Sequence, residues 1–266
     1  MAKLRDSAPE QIRTMVMDVT QEVQVQKIGQ ETGGRLDVVV NNAGIAALGP
    51  TAESDLDVVR RVHEVNFLGT WAVCKAAAKL MIPRRSGVIA NIGSFASKVH
   101  PPFMAAYNSS KVAVESISHS LRLELAPFRI RVVYVAPTWC RTAILSGSHM
   151  PTEGDWQAGH YADIREDVLR EAGAPQGPDS WPPSRIAKRI VAAALGRNPP
   201  MYVFGGGEHL RLRFLLAVFP RRLIDLVLHY RVGLAKLAGL VRRRDAAGAR
   251  GGGAAAAATS TVPSKE

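Results

Sequence analysis

Five short apolar and β-branched runs recur along the chain, at 14–17 (TMVM), 36–40 (LDVVV), 87–91 (GVIAN), 130–135 (IRVVYV) and 201–204 (MYVF). Continuous runs of this length suit strands buried on both faces. Between them lie segments of helical period at about 21–32, 53–64, 67–82, 104–126 and 184–196. Strand alternating with helix predicts a parallel sheet with crossover helices, so the fold class is α/β, a doubly wound Rossmann-like sheet. At 266 residues, 47% of them hydrophobic, the chain can bury one substantial core more readily than two small ones. In such sheets ligands bind beyond the carboxyl ends of the strands, and the loops there are where chemistry is expected.

Two stretches interrupt the alternation. Residues 147–183 are rich in glycine and proline, among them Gly147, Pro151, Gly154, Gly173, Pro175, Pro182 and Pro183. They follow the 130–135 run, where a substrate loop would lie, although an ordinary surface insertion reads equally well. From Phe214 the sequence runs FLLAVFPRRLIDLVLHYRVGLAKLAGLVRRR, with Leu223, Val227, Tyr230, Leu234, Leu237 and Val241 at helical spacing. This predicts a basic amphipathic helix lying in the plane of a membrane surface. Its apolar run 214–219 is far shorter than the ~20 residues a spanning helix needs. The alternative is that the stripe packs on the body or on a second copy of the chain, making a homo-oligomer. The expected organisation is therefore a domain over 1–208, a helical extension over 209–250 and a low-complexity, disordered tail over 251–266.

The net charge of +11 suggests nucleic acid until it is located. Residues 209–250 hold ten Lys and Arg against Asp225 and Asp245, so the extension carries eight of the eleven net charges. A nearly neutral body with a basic arm points to an anionic membrane or an acidic partner, not to DNA or RNA. Cys74 and Cys140 match no disulfide or metal-ligand pattern, and His63, His100 and His149 show no metal spacing. Residues 1–20 contain no apolar stretch of signal-peptide length, so secretion is not expected and the Asn108-Ser109-Ser110 sequon is read as incidental.

Candidate reacting groups collect where strands should end. VVVNNAG (38–44) closes a strand with Asn41, Ala43 and Gly44; VNFLGT (65–70) places Asn66 near a helix start; NIGSFAS (91–97) puts Ser94 directly after a strand. AAYNSSK (105–111) carries Tyr107 and Lys111 at i and i+4, on one face of a helix. VAPTWCRT (135–142) places Pro137 and Thr142 in a turn beyond the next strand. Together with MDVT (17–20), these motifs resemble the short-chain dehydrogenase/reductase family, in that family's order, from about residue 14 to about 205.

The resemblance implies an oxidoreductase that moves hydride between a nicotinamide cofactor and a carbonyl or alcohol. Tyr107 would be the acid or base, Lys111 the cation that stabilises its phenolate and grips the nicotinamide ribose, Ser94 the donor to the substrate oxygen, and Asn66 the anchor of a proton relay. The ammonium of Lys111 is thus expected to lower the pKa of the Tyr107 phenol. Cofactor contacts are implied at Asp18, Val19, Asn41, Ala43, Gly44, Lys75, Tyr107, Lys111, Pro137 and Thr142; Lys75 reads equally as a surface lysine, and no metal is implied. The family usually has Pro-Gly where this sequence has Pro137-Thr138, and threonine does not take up a positive φ as cheaply as glycine, so the turn is expected to differ. The family's glycine-rich pyrophosphate loop has no counterpart in these 266 residues, which implies weak dinucleotide binding by the chain as it stands. This also leaves open a non-catalytic remnant or dimer partner. SHSLRLELAPFRIRVV (118–133) and FPRRLIDLVLHYRVGL (219–234) are similar to the NADPH-dependent 1-acyldihydroxyacetone-phosphate reductase group. That likeness implies NADPH, with NADH left open, a lipid-type ketone, and an intracellular place on endoplasmic reticulum or lipid droplets. A retinoid or steroid substrate would use the same residues.

Overall fold

A computed structural model describes residues 11–144, 149–174 and 177–258, with side chains described as far as residue 247. It divides into two compact units, one formed by Met1–Met150 with Pro175–Leu210, the other by Pro151–Ala174 with Arg211–Glu266.

The first unit is built on a parallel sheet of four strands in the order β1 (Val38–Asn41), β2 (Gly87–Ile92), β3 (Ile130–Pro137) and β4 (Tyr202–Gly205). Its helices are α1 (Glu22–Gln26), α2 (Ile28–Glu31), α3 (Leu56–His63), α4 (Gly69–Met81), α5 (Ala96–Val99), α6 (Ala105–Glu124) and α9 (Pro183–Leu195). Alternate residues of a strand point to opposite faces, and the core divides accordingly. Ile89, Ile130 and Val132 pack with Cys74, Ala77 and Met81 of α4, whereas Val88, Val133 and Val135 pack with Ile186, Ala193 and Ala194 of α9. α6 covers the α4 side, where Val114 meets Tyr134 and Ala136. Helices on both faces explain why β2 and β3 read as continuous apolar runs.

The run at 14–17 is not a strand among the described residues. Its backbone makes no ladder with β1, and Val16 is 100% exposed. β-propensity becomes a strand only where a neighbour accepts the hydrogen bonds; here Met17 and Val19 instead contribute side chains to the cluster around Val25, Ile28 and Val73.

The second unit comprises α7 (Glu153–Ala158), α8 (Arg165–Gly173), α11 (Arg221–Arg231), α12 (Leu234–Ala258) and most of α10 (His209–Val218). One continuous amphipathic helix was the expectation; three helices are found, because Pro220 caps α11 and Gly233 turns the chain at φ +78°. A side chain at Gly233 would also come within 2.7 Å of Asp167. The basic extension is not a separate module, since Arg231, Lys236 and Arg244 pair with Glu171, Asp167 and Asp163 of the 151–174 segment. Part of the arm's charge is therefore spent within its own unit. Residues 251–258, expected to be disordered, continue α12, with five alanines that favour helix following three glycines that do not; residues 259–266 lie outside the described residues. No described helix is long and apolar enough to cross a membrane.

Gly93, just beyond β2, touches the buried phenol of Tyr134, and a Cβ at this position would overlap that ring. Gly93→Ala should therefore lower stability by about 1–3 kcal/mol, measured as a reduced urea midpoint with an unchanged m-value.

Candidate active site

The carboxyl ends of β1 and β2 and the first two turns of α6 bring Gly44, Asn66, Ser94, Tyr107 and Lys111 into one neighbourhood. Asn66 lies in a π-helical turn, Glu64–Leu68, between α3 and α4. Such turns place a side chain that a regular helix would aim elsewhere. The Asn66 side chain is fully buried; its Nδ2 donates to the carbonyl of Ile45 and to Oγ of Ser110, both at 2.9 Å, and its Oδ1 accepts from the Ile45 amide at 2.8 Å. It thereby pins the Gly44–Ile45 strand exit to α6.

Lys111 is 3% exposed, and its ammonium donates to the Ile92 carbonyl at 2.9 Å. A Cβ on Gly44 would lie 3.4 Å from Lys111 Nζ and 3.3 Å from Asn66 Oδ1. Glycine therefore keeps the space beside the ammonium and the Asn66 amide clear of a Cβ. One of the three ammonium donors is used on Ile92, and an ammonium donor is the group that the hydroxyls of a nicotinamide ribose would accept from.

Tyr107 is buried, and the half-buried Ser94 side chain stands close enough to its phenol to act on its ionisation. Its ring centroid lies 5.7 Å from Lys111 Nζ. Burial raises the phenol's pKa above its ordinary value, with the Ser94 side chain opposing. This corrects the expectation that Lys111 would lower it, because desolvation of the buried phenolate outweighs a cation that is itself engaged by Ile92. Burial brings Lys111 down to about 8. The resting pair is a protonated phenol beside a lysine that loses its charge in the mildly alkaline range.

The remaining cofactor candidates divide. Pro137 ends β3, and its carbonyl accepts from the Phe95 amide at 2.8 Å, one residue past Ser94. The Asn41 side chain is turned inward, donating to Asn91 Oδ1 at 2.8 Å and lying 3.2 Å from Cys74 Sγ. It joins β1 to β2 at their paired ends, so its contribution to a ligand site is to hold the strand end in place. Cys74 is correspondingly inert, with burial pushing its thiol up to about 12. Asp18 is exposed and accepts at 2.9 Å from the Thr20 amide in a tight turn; Val19 packs against Gly69. Ala43 and Thr142 are exposed. Lys75 makes a surface ion pair with Glu22 at 3.0 Å, matching its alternative reading as a surface lysine.

Thr138 does not adopt a positive φ. The adjacent loop does so instead, at Gly206 (φ +114°), and Thr138 Oγ1 donates across it to the Gly207 carbonyl at 2.5 Å. A hydroxyl staple takes the place of a glycine turn. Sequence reading also missed Ser110 and Tyr134. The first could have been found from its position one residue before Lys111; the second only from the fold, because its hydroxyl reaches Ser94 across 40 residues.

A family model described as short chain dehydrogenase matches residues 1–151. The chain belongs to the short-chain dehydrogenase family. This short-chain dehydrogenase, an oxidoreductase by family, is 32% identical over 238 residues to the short-chain dehydrogenase srdE of Neurospora crassa, covering 87% of this chain and 79% of that one. It is 38% identical over 139 residues to the NADPH-dependent 1-acyldihydroxyacetone phosphate reductase of Schizosaccharomyces pombe, covering 51% of this chain and 47% of that one. Its fold matches the crystal structure of a short-chain dehydrogenase from Streptomyces avermitilis with a TM-score of 0.70 and 26% identity, over 91% of this chain and 85% of the other.

Since burial sets Lys111 near 8, the ammonium is lost as pH rises through that value, and a phenolate formed at Tyr107 loses its stabilising charge. A reaction that draws on this ammonium should therefore slow on the alkaline side. A pH profile of kcat/KM should show that limb, and Lys111→Met should be slow throughout without it.

Proposed function

We propose that this short-chain dehydrogenase reduces the ketone of a lipid-type substrate with NADPH, and that Ser94, Tyr107, Lys111 and Asn66 form its catalytic group. The observation that carries the reading is the meeting of a protonated, buried phenol, a serine hydroxyl and a buried ammonium beside Gly44. A bound nicotinamide would supply hydride to the carbonyl carbon. Tyr107 gives its phenolic proton to the developing alkoxide, and the Lys111 ammonium stabilises the phenolate left behind. Ser94 donates a hydrogen bond to the same oxygen, sharing charge that exists only as the reaction proceeds. Asn66 keeps the Gly44 exit and α6 in register.

The choice of NADPH and of an acyl-bearing ketone is supported by likeness to the Schizosaccharomyces pombe reductase. It is also supported by the exterior of the second unit. On α11, Leu223, Leu226, Val227 and Tyr230 fall at i, i+3, i+4 and i+7, one face of a helix, and all are exposed, Tyr230 by 66%. Phe214, Val218 and Phe219 are exposed in the same unit, accompanied by exposed Arg213 and Arg222. Apolar side chains among arginines suit the interface of an anionic bilayer, where an acyl substrate would be met.

Assay of NADPH oxidation with an acyl glycerone phosphate, retinal and a ketosteroid should show turnover with the first. Preference for retinal or the steroid would replace the substrate class while leaving the catalytic group intact. Tyr107→Phe should lower kcat by ~10²–10⁴-fold with cofactor affinity, read by fluorescence titration, little changed; retained turnover would sink the assignment. For the membrane reading, the protein should co-sediment with phosphatidylserine vesicles, and replacing Leu226 and Val227 by Asp should weaken that on the order of tenfold or more. Equal sedimentation of both forms would remove the interfacial face.

A further inference from the structure

Four side chains on α6 recur every fourth residue: Tyr107, Lys111, Glu115 and His119. The proposed chemistry uses the first two. Glu115 is an acidic residue in the core, its side chain 10% exposed. Its Oε2 accepts from Ser97 Oγ at 2.7 Å, and its Oε1 accepts from the Tyr202 hydroxyl at 2.5 Å and from the Lys98 ammonium. His119 Nε2 lies 2.6 Å from the Tyr202 hydroxyl. Three donors from α5 and β4 thus converge on one carboxylate. Burial alone would raise its pKa, but the hydrogen bonds from Lys98, Tyr202 and Ser97 hold it below the ordinary glutamate value.

The bonding continues from Ser97 toward the reacting end. Ser97 Oγ lies 3.0 Å from the Tyr134 hydroxyl, which in turn accepts from the backbone amide of Ser94 at 3.2 Å. Each hydroxyl has one proton to give. Ser97 could direct its proton to the Ser94 carbonyl, at 2.9 Å, or to Glu115. A carboxylate is the stronger acceptor, so the Ser97 proton goes to Glu115. Ser97 oxygen is then open to the Tyr134 proton, for which it is the nearest acceptor at 3.0 Å, the carbonyls of Ser94 and Lys111 each lying at 3.3 Å, and Tyr134 oxygen is open to the Ser94 amide. The hydrogen bonds point one way, from Ser94 through Tyr134 and Ser97 to Glu115, and bonds in such a chain strengthen one another.

Glu115 lies two turns from Tyr107 on the same helix, so the far end of this chain is fastened to the element that carries the proton donor. We propose that Glu115 is a positioning residue that holds the Ser94 loop at a set distance from Tyr107, acting through Ser97 and Tyr134 without touching substrate. The proposal rests on the catalytic reading above only for its kinetic consequence; the clamp itself belongs to the free protein.

The test uses the full chain without cofactor and follows amide exchange by NMR. Glu115→Gln keeps the shape but presents a weaker acceptor and an NH₂ that can point at Ser97, so the Ser97 proton turns to the Ser94 carbonyl. Exchange of the Ser94 amide should quicken about tenfold, while the core amides of Ile89 and Val133 keep their rates. Tyr134→Phe should do the same. The double variant should be no faster than either single one, since both break one chain. Unchanged Ser94 exchange, or equal quickening of Ile89 and Val133, would overturn the clamp. If Glu115→Gln unfolds the protein, Ser97→Ala, which removes only the middle hydroxyl, decides on the same readout. With a reducible ketone and NADPH, kcat of Glu115→Gln should drop on the order of 10- to 100-fold with KM within about twofold. A loss carried by KM alone would count against positioning. Should the wild-type chain reduce no carbonyl at all, the catalytic reading fails, and exchange at Ser94 still decides the role of Glu115.

Discussion

An ammonium in the interior of a protein has to be held by something, and at Lys111 the holder is the last carbonyl of β2. Burying a charge unpaired is costly, so this contact ties three things together. It makes the carboxyl end of β2 part of the site, it orients the first turns of α6, and it brings the ammonium close to Gly44, where a Cβ would lie 3.4 Å from Lys111 Nζ and 3.3 Å from Asn66 Oδ1. Asn66 completes the arrangement by bonding both polar groups of Ile45 and the hydroxyl of Ser110. The candidate site is thus a set of strand exits fastened to one helix.

That helix acts as a ruler. A four-residue repeat keeps Tyr107, Lys111 and Glu115 along one face, and each meets a different layer: Tyr107 the Ser94 hydroxyl, Lys111 the β2 carbonyl, Glu115 the donors of α5 and β4. The same spacing that makes the motif recognisable distributes the three groups over about two turns of helix, from the candidate serine at one end to the buried carboxylate at the other. The second unit uses charge differently. There the acids of 151–174 neutralise three of the arm's basic residues, while the apolar face of α11 is left outside.

Much of this was legible in the residues themselves. Four of the five expected strands and four of the five expected helices of the first unit occur within a few residues of their anticipated bounds, while the segment expected as one helix at 21–32 is two short helices, Glu22–Gln26 and Ile28–Glu31; period and burial are encoded locally. The fifth strand failed at 14–17, where a good β sequence has no partner. The extension was read as one helix although Pro220 and Gly233 were in plain view; a regular apolar stripe outweighed two breakers. Asn41 and Lys75 show the converse. Residue type alone could not say that one amide would be consumed by Asn91 and the other cation by Glu22.

The sequence by itself determined the alternation that makes a parallel sheet, the strand ends at which Gly44 and Ser94 stand, and the pairing of Tyr107 with Lys111, since each depends on spacing along the chain. Only the tertiary structure decided the electrostatics of that pair. The family resemblance implied a phenol made acidic by its neighbour, but burial raises the phenol and lowers the lysine. Desolvation depends on everything that covers a group, which is contributed from distant parts of the chain and has no signature in the seven residues that carry the motif.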